Sequence, residues 1–214
     1  MRKRRTRAEQ VEANRAAVLH AAKRVFLEKG YSGATLEAIA DEAGFSKGVV
    51  YSQFEGKADL FFALLEDRID DRAAENERAV TGATAPDGIM TLLENFERDS
   101  KAEAGWARVL VEFRAVAMRD ADLNRRYAER HATTVERLAQ LLGDLHERAG
   151  LEPNVPPHVL AEFILALGSG MALERAANPQ ALEWSALARM LSRVLGPDSG
   201  GEPLVPLGTS EAVR

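Results

Sequence analysis

The chain is predicted to be all-α, with about nine helices: a small N-terminal trihelical unit followed by a larger helical body. Three observations predict this. Apolar residues recur at intervals of three, four and seven along most of the chain. No segment alternates apolar and polar residues as a strand would, and no internal repeat is present. Breaks carrying glycine or proline separate one apolar stripe from the next.

The first helix is expected over residues 7–29, where Val11, Val18, Leu19, Ala22, Val25 and Phe26 share a face and Gly30 ends it. In residues 35–54, Thr35 can cap a second helix carrying Leu36, Ile39, Ala40 and Ala43, and Gly44 closes it in the left-handed conformation. Phe45, an apolar residue in a turn, fits if the turn is clamped onto the first helix. Ser46 can cap a third, short helix whose Val50 and Phe54 face inward with part of Val49. Its far side carries Lys47, Gly48, Ser52 and Gln53, a small polar set suited to approaching base edges, while Tyr51 and Lys57 can reach phosphates. Two short helices about a tight turn, braced by a third, read as a DNA-binding helix-turn-helix.

The remainder continues as helices. Leu60, Phe61, Leu64, Leu65 and Ile69 stripe residues 57–80, and a break follows at 81–87. Ile89, Leu92, Leu93 and Phe96 mark a helix to about residue 103; Trp106, Val109, Leu110, Phe113 and Val116 mark the next, ending near 118. After a corner at 119–122, Leu123, Tyr127, His131, Thr134, Leu138, Leu141 and Leu145 run at near-heptad spacing to Gly150, and a proline-rich loop spans 151–157. The next helix is apolar on more than one side: Leu160, Ile164 and Val159 accompany Phe163, Leu167 and Met171, and Leu165, Ala172 and Leu173 widen the face. Gly168, Ser169 and Gly170 would weaken it unless another helix packs closely there, and a final apolar helix carries Leu187, Met190, Leu191 and Val194. This predicts a two-fold, four-helix homodimer interface built on Phe163, Leu167, Gly168, Met171, Leu187, Met190, Leu191 and Val194. The alternative is that both helices only close the core of one protomer.

The domain boundaries expected are 1–56 for the basic arm and helix-turn-helix, 57–196 for the helical body, and 197–214 for a disordered tail rich in glycine and proline. With 214 residues, 46% of them hydrophobic, there is enough chain for one substantial core and a small one. Cysteine is absent, so disulfides and thiolate chemistry are excluded, in keeping with a reducing cytoplasm. No secretory signal or membrane-spanning run is visible, and a soluble cytoplasmic protein is expected. Net charge is −5, yet residues 1–57 hold eleven Lys and Arg against seven Asp and Glu, which leaves +4 there and −9 on the rest. Arg2, Lys3, Arg4, Arg5 and Arg7 form an arm suited to phosphates or a minor groove.

From about residue 15 to residue 60 the chain resembles the tetracycline-repressor (TetR) family of bacterial transcription regulators. The matching pieces are Ala21-Ala22 with Phe26, Gly30-Tyr31, Thr35 with Ile39-Ala40, residues 43–48 as Ala-Gly-Phe-Ser-Lys-Gly, and then Tyr51, Phe54, Lys57 and Leu60. Gln53 departs from the pattern, standing where many members place a phosphate-binding histidine. The resemblance implies a homodimer paired through its last two long helices. Its partners would be an inverted-repeat DNA operator, matched by the two-fold axis, and a small-molecule effector. Base contacts are expected from Lys47, Gly48 and Ser52, with a phosphate contact as the competing role for Lys47; Thr35, Tyr51, Gln53 and Lys57 are expected on phosphate. In this family the middle helices enclose an effector cavity, and occupancy moves the joining helix. Applied here, the lining would be Leu65, Ile69, Phe96, Trp106, Leu110, Phe113, Tyr127, His131, Thr134 and Leu138, with Glu112 and Arg114 as charged partners and a mainly hydrophobic ligand.

Enzyme classes find no support. There is no nucleophile elbow, phosphate-cradling glycine loop or paired-histidine metal motif, and neither cofactor nor metal is expected. A protein-interaction module would account for the apolar final helices but leaves the basic arm and helix-turn-helix unexplained. A transcriptional activator of the same fold is the other alternative to a repressor.

Overall fold

The computed structural model describes residues 6–85, 87–102 and 104–181, together with 187 and 190. Every regular element among them is helical: α1 (Arg7–Gly33), α2 (Leu36–Ala43), α3 (Lys47–Tyr51), α4 (Lys57–Ala79), α5 (Asp87–Ala102), α6 (Ala104–Ala117), α7 (Ala121–Ala149) and α8 (Pro157–Ala177). The predicted ninth helix with Leu191 and Val194, arm residues 2–5, the tail and the side chain of Phe96 lie outside the described residues.

Local chemistry sets the helix ends. Thr6 and Glu9 close a capping box at the start of α1, the Thr6 amide donating to the Glu9 carboxylate at 2.7 Å and the Glu9 amide to the Thr6 hydroxyl at 3.2 Å. Gly30 breaks α1 as expected, at φ 73°, but one further turn follows it to Gly33. Asp120 begins α7 by accepting the amides of Asp122 and Leu123 at 3.0 and 3.1 Å.

Two cores follow from the stripes. In the first, Val18, Ala22 and Phe26 of α1 pack with Ile39 and Ala40 of α2, Val50 of α3 and Phe54, and this core continues into Phe61, Phe62, Trp106 and Phe113. The second joins Ile89, Leu92 and Leu93 of α5, Leu142 and Leu145 of α7, and Leu160 and Ile164 of α8. Phe61 sits at the centre of the aromatic region, its ring 4.0 Å from Phe113 and 5.7 Å from Trp106 in stacked geometry, with Tyr31 edge-on at 5.4 Å.

Along its other side, α4 is zipped to α7. Arg126 bonds Asp59 at 2.6 Å, Arg130 bonds Glu66 at 2.7 Å, and Arg137 pairs with Asp70. Arg126 and Arg130 also lie over the Phe62 ring at 4.5 and 4.4 Å.

Phe113 is fully buried at the meeting of α1, α4 and α6. Phe113→Ala should cost about 3 to 5 kcal/mol of folding stability. Equilibrium urea unfolding followed by circular dichroism measures this; a loss below about 1 kcal/mol would mean that the aromatic cluster closes over the gap.

Candidate nucleic-acid interface

The exposed side of α3 is presented by its buried side. Val50 and Phe54 are both buried, the latter beneath the Arg15 guanidinium at 4.5 Å, and they hold the short helix against α1. Thr35 caps α2 by accepting the Ala38 amide at 3.1 Å, and its hydroxyl also bonds the Glu37 carboxylate. Gly44 is left-handed at φ 70°, and the Phe45 amide donates to the Ala40 carbonyl at 3.0 Å, closing the turn. Ser46 occupies the α3 N-cap position but makes no side-chain capping bond.

Lys47, Gly48, Tyr51 and Ser52 are thereby brought together on one exposed surface, with Tyr51 51% accessible. The Lys47 ammonium is 3.2 Å from the Glu37 carboxylate of α2. A hydrogen bond from its own backbone amide, and after it that cation, hold the Glu37 carboxyl below its usual range. The Ser52 hydroxyl donates to the Val49 carbonyl at 2.8 Å, which fixes its rotamer on the exposed side.

Two expected phosphate contacts are placed differently. The Gln53 amide folds back onto α3, donating to the Val49 carbonyl at 3.3 Å, while its Oε1 is buried without a partner among the described residues. One of its two N–H donors is therefore used internally. Lys57 donates to the carbonyls of Tyr31 and Ser32 at 2.8 and 3.4 Å and lies 4.6 Å from the centre of the Tyr31 ring. Burial lowers its pKa, and the Glu112 carboxylate opposes that shift. The first task of Lys57 is to satisfy the exposed carbonyls at the end of α1.

Among the described residues, the expected effector lining is divided between two cores. Leu65, Trp106, Phe113 and Tyr127 belong to the first core, with Ile69 and Leu110 against it, whereas Leu138 packs on the second. Thr134 donates to the Arg130 carbonyl at 3.0 Å, and Glu112 faces the end of α1, accepting the Ser32 amide at 3.2 Å. Arg114, Tyr127 and His131 do form a cluster: the guanidinium lies 4.7 Å over the Tyr127 ring, which stacks on His131 at 5.7 Å. Residues Glu77, Thr81, Gly82, Glu136, Arg137, Gln140, Leu141, Asp144 and Arg148 line an open recess of about 570 Å³ that shares none of the expected residues.

Sequence reasoning passed over Arg68. It extends the Phe61 and Leu65 stripe of α4 at helical spacing, lies 5.7 Å over the Trp106 ring, and is pushed down to about 10, chiefly by burial and secondly by Arg72. The spacing was the available signal; an arginine in an apolar stripe reads as a helix edge.

Of the expected interface residues, Phe163 is 44% exposed and Met190 50%, and Val159 and Leu173 share the open side of α8 with Phe163. Leu167 and Gly168 are half-buried. Met171 and Leu187 are buried within the protomer.

Comparison with known proteins agrees with this architecture. The family profile for bacterial regulatory proteins of the tetR family matches residues 18–64, and that for the C-terminal region of BetI-type transcriptional repressors matches residues 89–196. The uncharacterized HTH-type transcriptional regulator YfiR of Bacillus subtilis is 26% identical over 164 residues, covering 76% of this chain and 80% of the relative. An HTH-type transcriptional repressor of Mycobacterium tuberculosis is 26% identical over 175 residues, covering 79% of this chain and 87% of the relative. Among solved structures, the transcriptional regulator FadR of Bacillus subtilis in complex with stearoyl-CoA shares the fold, with a TM-score of 0.66 and 18% identity over 85% of this chain and 97% of that one.

His131 supplies a pH test. Burial, and after it the Arg114 guanidinium, lowers its pKa, with Glu162 opposing. The folded state binds this proton less readily than the unfolded chain. The associated stability is therefore complete above the ordinary histidine value of about 6.5 and is lost as pH falls through the lower folded value. His131→Gln should flatten the decline in urea midpoint between about pH 7 and pH 5; an unchanged profile would place the decline on other groups.

Proposed function

We propose that this chain, which belongs to the TetR family of bacterial regulatory proteins, represses transcription by binding an inverted-repeat operator as a homodimer and leaves it when a small, mainly hydrophobic molecule binds the helical body. The protein is a helix-turn-helix transcription regulator, and its family is one of regulators rather than enzymes. The observation that carries the DNA reading is the exposed set Lys47, Gly48, Tyr51 and Ser52, backed by buried Val50 and Phe54. Lys47 is assigned to a base edge, guanine O6 or N7 being the best geometric match for a cationic donor. Thr35 and Tyr51 are assigned to phosphate, and the third ammonium proton of Lys57 can share that role.

The open face of α8, with Val159, Phe163 and Leu173, supports pairing with a second copy, and a two-fold axis calls for a palindrome. The repressor named among the relatives supports repression as the direction of control. The division at residues 56 and 196 separates DNA contact from sensing and pairing. No described helix is long and apolar enough to cross a membrane, which is compatible with action on cytoplasmic DNA.

For the effector, FadR holding stearoyl-CoA supports an amphiphilic ligand, with Arg114, Tyr127 and His131 as the polar cluster available to orient it. To shift the population from 1:99 to 99:1, such a ligand must prefer the DNA-free conformation by about 5.5 kcal/mol.

Selection from a random DNA pool at near-physiological salt tests this reading directly. An enriched inverted repeat is expected, whereas folded protein that enriches nothing would overturn specific binding. On the enriched site, Lys47→Ala should cost about 1 to 3 kcal/mol and relax preference at one base pair of each half-site. Equal weakening on all sequences would move Lys47 to phosphate.

A further inference from the structure

Residues 27–32, where α1 ends, are gripped from two helices of the body. From α6, Arg108 donates to the Leu27 carbonyl at 2.7 Å, and Glu112 accepts the Ser32 amide at 3.2 Å. Arg108 and Glu112 are themselves 3.9 Å apart, so the two anchors support each other. From α4, Lys57 holds the carbonyls of Tyr31 and Ser32. The same short stretch of backbone thus meets an anion on its N–H side and a cation on its C=O side, the complementarity that main-chain polarity demands.

Gly30 makes the grip possible. Its φ of 73° lies in the left-handed region, and a Cβ at this position would clash with both carboxylate oxygens of Glu112. The carboxylate fills the space that the missing side chain leaves. Because its acceptor is directional and its target is main chain, this contact specifies an angle between α6 and α1 more sharply than the aromatic packing beside it. It lies away from α3, whose backing by Val50, Phe54 and α1 does not involve Glu112.

We propose that Glu112 is a positioning residue for operator binding: by sitting over Gly30 and holding the Ser32 amide, it fixes the direction in which each protomer presents its helix-turn-helix, and so the separation of half-sites that the dimer accepts. The inference rests on the proposed operator-binding function. It assigns Glu112 to geometry between the two readers and leaves base recognition within each half-site to α3.

The test uses the full-length protein and its Glu112→Ala and Glu112→Gln variants. Each is put through selection from a library in which the enriched half-site is repeated with spacers of varied length, and each is titrated on the preferred palindrome and on a single half-site. Glu112→Ala should accept a broader range of spacers and bind the preferred palindrome about tenfold more weakly, as expected for loss of a charge-assisted bond. Its half-site affinity should stay within about twofold of the parent, a change of less than about half a kcal/mol. Glu112→Gln keeps an acceptor for Ser32 and should recover most of the spacer preference. Unchanged spacer selectivity in Glu112→Ala, or equal losses on half-site and palindrome, would overturn the positioning role while leaving operator binding intact. Failure of the parent protein to enrich any half-site would overturn both.

Discussion

The ring of Phe61, one turn into α4, lies 4.0 Å from Phe113 of α6 and is edged by Tyr31 at the end of α1. Trp106 stacks on it at 5.7 Å, and Phe26 meets it edge-on at 6.2 Å. This cluster joins the end of α1 to α4 and α6, beside the polar contacts that Arg108, Glu112 and Lys57 make with α1. Each aromatic pair contributes about 0.5 to 1.5 kcal/mol beyond simple burial, with a geometric preference that an aliphatic seam lacks. The three helices that meet here therefore resist sliding, and a displacement of α6 is transmitted to α1 instead of being absorbed between them.

Polar contacts surround this apolar centre. Along α4 the arginines of α7 pair with its carboxylates, and two of them rest on Phe62. Isolated exposed pairs of this kind stabilise little, but Arg126 and Asp59 are only 28% and 24% exposed and their geometry is set by the ring beneath. The joining helix is consequently held between an aromatic wall and a charged rail. An effector that separates α6 from α7 has to work against both, which suits a switch with two discrete positions.

Much of this was legible because helical spacing and end signals are local. Thr35, Gly44 and Gly150 stand where the chain turns, and Val50 and Phe54 face inward as their spacing requires. Long-range partnerships were not legible. Lys57 sits 25 and 26 residues from the carbonyls it satisfies, and Glu112 is 80 residues from Ser32, distances over which periodicity carries no information. Gln53 was read outward because a polar side chain on a short helix ordinarily points to water; its amide instead finds Val49 one turn back. Met171 and Phe163 lie on one broad apolar helix, and periodicity does not reveal that one is buried and the other open. The division of the expected effector lining was hidden for the same reason, since Leu138 and Phe113 belong to different cores.

The pairing of Lys47 with Glu37 has a consequence for how this protein would meet a polyanion. In the free state the lysine already carries a tethered counterion supplied by the neighbouring helix. Where a phosphate or a guanine edge takes the place of that carboxylate, which remains close by, part of the charge neutralised at the interface is exchanged within the protein and not with dissolved salt. The number of ions released on association would then be smaller than the number of cationic contacts made, and a salt slope taken at face value would undercount them. Glu37 also repels a misplaced backbone, so the lysine is released only where something better than a generic phosphate is offered to it.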